Sequence, residues 1–137
     1  MKKYINIALI YAVVGLLSGL AYREIIKLTG FTGQTSLNLV HTHLFTLGMF
    51  LFMIVALFAQ HHELEKIKSF RVFLVTYHIG LPLSAIMLAV RGMTQVLEMD
   101  LSKAVNASIA GLAGISHFLV SVGIISLLLA LKKVAED

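Results

Sequence analysis

The sequence predicts an all-α integral membrane protein, a four-helix transmembrane bundle with both termini in the cytoplasm. The first observation is composition: 58% of the 137 residues are hydrophobic, 13% are charged, and the mean hydropathy is +0.91. Ordinary soluble domains are about 25% charged, so this chain has too few polar residues to cover a globule in water. The second is the presence of apolar segments of about 20 residues, the length that a helix needs to cross a bilayer. The third is that basic residues lie at the segment ends, which indicates an orientation.

Each predicted span is an apolar run between polar connections, and together the spans make one multi-pass domain over residues 1–137. They are approximately Ile5–Tyr22, Leu37–Gln60, Phe70–Val90 and Ala104–Leu131. The first follows a basic start that signal peptides also have, but its apolar run is longer than a typical h-region and no Ala-x-Ala-type site follows. We therefore expect a retained helix and a protein of the inner (cytoplasmic) membrane.

The polar connections carry signals that begin and end helices. Thr35 or Ser36 can cap the second helix, and Ser102 can cap the fourth. His61–Ser69 is a short charged turn, and Met93–Lys103 is a longer one.

The basic residues predict the orientation of the spans. Seven lie on the side of both termini and four on the other side, so the positive-inside rule places the termini in the cytoplasm. Because these charges lie at segment ends rather than in one patch, the expected partner is the lipid bilayer and not nucleic acid. The seven are Lys2, Lys3, Lys66, Lys68, Arg71, Lys132 and Lys133, and the four are Arg23, Lys27, Arg91 and Lys103.

Composition also excludes several kinds of chemistry. The chain has no cysteine, which excludes disulfides, thiolate metal sites, Fe–S clusters and covalently attached c-type haem. The serines within the spans lack a nearby set of histidine and carboxylate, so the chain is not expected to be an enzyme on its own.

Pairs of small residues four apart allow helix backbones to approach closely. We expect such pairs to pack within the chain, with the seam of a homo-oligomer as the alternative. They are Gly15-x-x-x-Gly19 in the first helix, and Ala107-x-x-x-Gly111 and Ala110-x-x-x-Gly114 in the fourth.

Four of the six histidines lie inside predicted spans, where polar groups are costly and usually functional. At a rise of 1.5 Å per residue, His78 and His117 lie roughly 20 Å from the outer ends of their helices, so we expect both to be buried at matched depth. His41 and His43 are shallower, roughly 6–9 Å from the outer end of theirs. Because residues two apart differ by about 200° around a helix, this pair is expected to serve two separate partners rather than one zinc ion.

Other polar residues complete this pattern. His61 and His62 are expected to form a solvated helix end. Pro82 predicts a kink in the third helix and removes the usual donor to the carbonyl four residues earlier. Arg91 lies at the outer end of that helix. A stripe of polar and small residues in the fourth helix leaves room beside one imidazole: Asn106, Ala110, Ala113, His117 and Ser121.

Three interpretations of the four histidines within the spans stay open. They could be structural, with each ring N–H bonded to a carbonyl of another helix, as in an accessory subunit of a larger membrane complex. They could bind b-type haem, because neutral imidazoles from facing helices ligate iron axially and Arg91 or Arg23 could meet the propionates. They could line a proton path or hold a copper or zinc ion in a small transporter or metal-ion carrier, although no carboxylate lies in the span centres.

The segment LVHTHLFTLGMFLFMIVALF, residues 39–58, carries two resemblances. In length, number of spans and this motif, the chain resembles a group of small bacterial membrane proteins known only as a domain of unknown function. The His-x-His followed five residues later by glycine, here His41, His43 and Gly48, is similar to the haem-ligand helices of the catalytic subunit of haem-copper oxidases. Nitric oxide reductases and cbb3-type oxidases carry a similar His-Thr-Asn segment on the second helix, and another helix of that superfamily carries His-x-His.

The second resemblance implies a cofactor and its ligands. His41 would correspond to the ligand of low-spin haem b. His43 would correspond either to the other ligand of a helix whose two imidazoles serve two haems on opposite faces, or to the Asn of the His-Thr-Asn segment. The chain has fewer spans and lacks both the paired histidines of a copper site and a cross-linked His–Tyr element, so oxygen reduction is not implied.

We therefore expect a membrane protein that binds haem b for electron transfer, haem handling or gas sensing. Besides the lipid bilayer, we expect a redox partner or a larger membrane complex as a partner of this protein. The candidate haem or metal ligands are His41, His43, His78 and His117, and Arg91 is a candidate cofactor contact.

Overall fold

The computed structural model describes residues 1–135, and over that range the chain is all-helical. The long helices are α1 Lys2–Thr29, α2 Leu37–Phe58, α3 Lys68–Val96 and α4 Lys103–Ala135. A short 3-10 turn, Leu64–Lys66, lies between α2 and α3. All four are long and apolar enough to cross a membrane, which confirms the predicted all-helical class and the four long apolar helices.

Three of the helices run past the predicted spans, because an apolar run marks only part of a helix. α1 continues through Arg23 and Lys27, whose side chains are exposed. α3 passes Arg91 and ends at Val96, so the connection to α4 is shorter than predicted. Charged residues with long unbranched side chains are good helix formers, so nothing local ends a helix at them.

Local sequence signals end α1 and begin α4. Gly30 ends α1 with a φ of 65°, in the left-handed region that favours glycine. At the start of α4, Ser102 Oγ accepts the Val105 N–H at 3.3 Å, which confirms the predicted cap.

The helices pack in chain order, with α1 on α2, α2 on α3, and α3 on α4. Glycines set the close approach of α1 and α2. A Cβ on Gly15 would lie 2.9 Å from Phe45 Cε1, and one on Gly48 would lie 2.5 Å from Tyr11 Cγ. The predicted packing of the small-residue pair in α1 within the chain is therefore confirmed.

The same prediction is wrong for α4. Added Cβ atoms on Gly111 and Gly114 would meet nothing within 4 Å among the described residues. The reason is the rotation of α4, which turns a different face toward α3 and buries Ile109, Ser116 and Val120.

A row of aromatic side chains fixes α2 against α3. Phe52, Phe73 and Tyr77 are each 0% exposed, and their ring centroids lie 5.0–6.1 Å apart. The segment Leu44–Phe50 of α2 is a π-helix, a feature often found at functional sites. The Tyr77 hydroxyl donates to the Leu47 carbonyl of that segment at 3.0 Å, so α3 supports the irregular part of α2.

Candidate functional site

Two imidazoles from different helices converge beside this π-helical segment. His43 of α2 and His117 of α4 have ring centroids 6.4 Å apart and ring planes at 83°. His43 is half-buried and His117 is exposed, so the pair is open on one side. The two residues therefore lie at the same level along the helix axes.

Both rings are held by the carbonyl four residues earlier on the same helix. A carbonyl can only accept, so Nδ1 carries the proton, and Nε2 of the neutral ring keeps its lone pair. His78 has the same arrangement. The Nδ1 to carbonyl oxygen distances are 2.9 Å for His43 to Leu39, 2.8 Å for His117 to Ala113 and 2.7 Å for His78 to Leu74.

This second bond is what metal-ligating histidines in proteins generally have. It fixes the tautomer and the ring orientation, and it raises the basicity of the other nitrogen. Only His43 and His117 combine this bond with a second imidazole nearby. The pair can therefore present two neutral nitrogen donors from opposite helices to one group.

His41 lies on the other side of α2, facing α1. Its ring stacks on Tyr22 with centroids 6.5 Å apart and meets Phe45 edge-on at 6.3 Å. Gly19 of α1 lies beside it: an added Cβ there would make an ordinary van der Waals contact, 3.6 Å, with the Cβ of His41. Among the described residues, Nδ1 of His41 is a buried atom with no hydrogen-bond partner. His41 and His43 therefore face different helices, α1 and α4, as helix geometry predicts for residues two apart.

The expected burial of His78 and His117 at matched depth is wrong in two respects. Both side chains are exposed in the single chain, and the ring that meets His117 is that of His43 rather than His78. His78 instead packs on Phe52, with centroids 5.3 Å apart. The sequence places the outer end of the third span at Val90, whereas α3 continues to Val96, so His78 lies 18 residues from the outer end of its helix and His117 lies 14 from that of α4.

Arg91 engages a residue of the predicted stripe on α4. Its Nη1 donates to Asn106 Oδ1 at 2.6 Å, and its Nη2 donates to the Asn106 carbonyl at 3.4 Å. Asn106 precedes His117 by eleven residues, roughly 16 Å of helix. The guanidinium therefore lies toward the Lys103 end of α4, on the same side of α3 as the imidazole pair.

At the opposite end of the molecule, a small polar cluster joins α1 to the connection between α2 and α3. The Tyr4 hydroxyl donates to Glu65 Oε1 at 2.7 Å, and Lys3 Nζ lies 3.3 Å from the same oxygen. The Tyr4 hydrogen bond, and next the ammonium of Lys3, lower the pKa of the Glu65 carboxyl. His61 and His62 are exposed here, as the sequence predicts for a solvated helix end.

Within residues 1–135, no group of three or more His, Asp or Glu side chains is placed to hold a metal ion. The sequence does not predict the π-helical segment of α2 or its hydrogen bond from Tyr77, because no local signal in LFTLGMF marks a π-helix. Gly48 is compatible with the close packing found there.

The fold and the site define a small all-helical protein with four helices apolar enough to cross a membrane and a pair of imidazoles between the second and fourth. The chain belongs to the family described as Protein of unknown function (DUF2871), whose model matches residues 1–134. Neither the curated proteins nor the solved structures contain a match. The expected membership of a family of unknown function is thus confirmed, and the likeness to haem-copper oxidases stays a prediction.

Proposed function

We propose that this protein spans the inner membrane and binds b-type haem, with His43 and His117 as its axial ligands. The observation that carries the proposal is their geometry: two imidazoles from different helices, 6.4 Å apart, each with Nδ1 held by a carbonyl. Haem supplies the remaining four ligands of iron itself, so a two-residue protein site is sufficient.

The separation of the rings suits this role. With metal–nitrogen bonds of about 2.0–2.1 Å and about 1 Å more to each ring centre, two imidazoles on opposite sides of one ion have centroids roughly 6 Å apart. The backbone carbonyls hold Nδ1 of each ring, so Nε2 is the atom of the neutral ring that can act as a ligand.

The surroundings also favour a flat apolar group with an anionic edge. Ala110 and Gly114 of α4 are exposed, so their small side chains leave room beside His117. Arg91, paired with the neutral Asn106 rather than with a carboxylate, keeps its positive charge available for propionates. An imidazole that faces lipid is costly, and ligation offsets that cost.

When bound, haem supplies one-electron redox chemistry, or binding of a small gas where one axial position opens. The chain's own residues hold and orient the group: His43 and His117 at the iron, and Arg91 at the edge. His41 and His78 lie on other surfaces of α2 and α3 and take no part in this pair.

The test is an absorption spectrum of the full chain, produced with added haem and purified in detergent. We expect a Soret band and a haemochrome of b type in the wild-type protein. His43→Ala and His117→Ala each remove at least nine-tenths of the bound haem, whereas His61→Ala, at an exposed position in the connection after α2, keeps it.

Substitution by methionine guards against loss of folding. His117→Met retains an axial donor, so haem stays bound with a shifted spectrum and a raised reduction potential, because Met/His ligation raises the potential. The proposal would be refuted if the wild-type protein were colourless. It would also be refuted if His43→Ala and His117→Ala each bound as much haem as the wild type.

A further inference from the structure

A polar pocket of about 470 Å³ lies where the connection from α1 enters α2, against the last turn of α3. Three carboxamides, two hydroxyl-bearing residues and one aliphatic residue line it, and among the described residues no Asp or Glu does. The lining residues are Gln34, Asn38, Gln95, Thr35, Ser36 and Leu39. None of these side chains belongs to the imidazole pair or to its Arg91 contact.

The pocket lies above His43 along α2, toward the end of the bundle that the sequence predicts to face outward. The Leu39 carbonyl that accepts the His43 Nδ1–H belongs to a pocket residue. Ser36 precedes His43 by seven residues, about two turns of regular helix, so the two lie on the same face of α2. A porphyrin ring extends from its iron by about one helical turn (5.4 Å), and its propionates extend further. A haem held at His43 with its edge toward this end therefore meets the pocket.

The pocket has hydrogen-bond donors that no group in residues 1–135 uses. Gln95 Oε1 accepts the Ser36 N–H at 2.7 Å, which fixes the orientation of the carboxamide and leaves its amino group as a free donor. The Ser36 hydroxyl makes no cap bond to α2. Thr35 differs, because its hydroxyl donates to the Gly92 carbonyl at 2.9 Å. The donors of Gln95 and Ser36 are therefore available to a ligand.

Arg91 lies one turn before Gln95 on α3. Its guanidinium donates to Asn106 of α4, whereas the carboxamide of Gln95 engages the start of α2. The cation and the neutral donors thus lie at the same end of the imidazole pair, one on the side of α4 and the other on the side of α2. Haem carries two carboxylates on one edge, which matches two separate places.

We propose that this pocket receives one of the two haem propionates through the Gln95 amino group and the Ser36 hydroxyl, while Arg91 meets the other. The assignment rests on the proposed haem function, and it fixes the haem with its carboxylate edge toward the connection between α1 and α2. A neutral polar molecule could use the same donors. A carboxylate is favoured because hydrogen bonds to an ionised acceptor are roughly twice as strong, and no acidic side chain of the lining repels it.

The experiment compares haem b with its dimethyl ester, which keeps the ring and the iron and removes both negative charges. The Kd of each is measured by absorption titration of the detergent-purified full chain produced without added haem, and the readout is the ester Kd divided by the haem Kd. Gln95→Glu keeps an oxygen for the Ser36 N–H and replaces the amino donor with a negative charge. We expect this ratio to fall at least tenfold, as for loss of one hydrogen bond to a charged group.

Two further variants separate recognition from folding. Ser36→Ala removes only a hydroxyl and lowers the ratio about threefold to tenfold. Gln60→Glu makes the matched change in the exposed connection after α2, at the opposite end of the molecule, and keeps the wild-type ratio. A variant that only folds less well raises both Kd values together, so its ratio does not move.

The two proposals fail in different ways. A wild-type protein that binds neither haem nor its ester refutes both. A wild-type protein that shows a Soret band with haem, but whose ratio is unchanged in Gln95→Glu and in Ser36→Ala, loses only the propionate pocket. An equal fall of the ratio in Gln60→Glu would also overturn the pocket, because the effect would then come from added charge alone.

Discussion

The imidazole of His43 meets that of His117 edge-on across α2 and α4, with centroids 6.4 Å apart. α3 sets this relationship, because it packs against both helices and holds them at a fixed offset. The hydrogen bond from the Tyr77 hydroxyl to the Leu47 carbonyl, one helical turn after His43, holds the same part of α2.

The proximity of the two rings predicts stabilisation by a divalent metal ion in the haem-free protein. A Ni²⁺ or Zn²⁺ ion at 100 times its Kd raises stability by about 2.7 kcal/mol if it binds only the folded chain. We expect the Tm to rise with metal in the wild type and in His78→Ala. The rise should disappear in His43→Ala and in His117→Ala, and an undiminished rise there would place the metal elsewhere.

Gly48 of α2 and Gly114 of α4 should respond oppositely to alanine. Gly48→Ala puts a Cβ 2.5 Å from Tyr11 Cγ, so we expect a loss of about 1–3 kcal/mol from overpacking between α1 and α2. Gly114→Ala adds a Cβ in open space and should gain up to about 1 kcal/mol from helix propensity. Unfolding in mixed micelles measures both, and equal effects would contradict the packing of α1 on α2.

Removal of the Tyr77 hydroxyl should destabilise the π-helical segment. Tyr77→Phe leaves the Leu47 carbonyl without this donor, at an expected cost of about 1–3 kcal/mol. Tyr22→Phe is the control, because it removes a tyrosine hydroxyl that is not bonded to the Leu47 carbonyl. If both variants unfold at the same denaturant concentration, the bond is not stabilising.

The cluster at Glu65 predicts a pH dependence. The folded-state pKa of this carboxyl is lowered, so its contribution to stability is present above its ordinary pKa of 4.5 and is lost as the pH falls through the lower folded value. The Tm difference between wild type and Glu65→Gln should therefore shrink toward zero as the pH is lowered from 6 to 3. The effect is small because the carboxyl is exposed. A difference independent of pH would mean that the charge is not involved.

The absence of cysteine allows a clean test of orientation. In intact cells, a membrane-impermeant maleimide should label Asp100→Cys from outside and leave His62→Cys unlabelled until the membrane is opened. The reverse labelling would invert the predicted orientation, and labelling of both from outside would show that α3, the long helix between them, does not span the membrane.

The features that could be predicted from the sequence are the local ones. Ser102 caps α4 because its hydroxyl needs only the N–H of Val105, three residues away. The opposite facing of His41 and His43 follows from helix geometry alone. The pairing of His43 with His117 could not be predicted, because it depends on where each helix begins relative to the others.

The sequence by itself determined an all-helical chain of four long apolar helices, because composition and segment length act through each helix separately. Tertiary structure alone decided which imidazoles meet, which small-residue faces stay uncovered and where a π-helix lies in α2. These depend on the rotation and offset of one helix against another, and side-chain packing between distant parts of the chain fixes them. For α2, two contacts fix the rotation and offset: the packing of Gly48 against Tyr11, and the hydrogen bond from Tyr77 to Leu47.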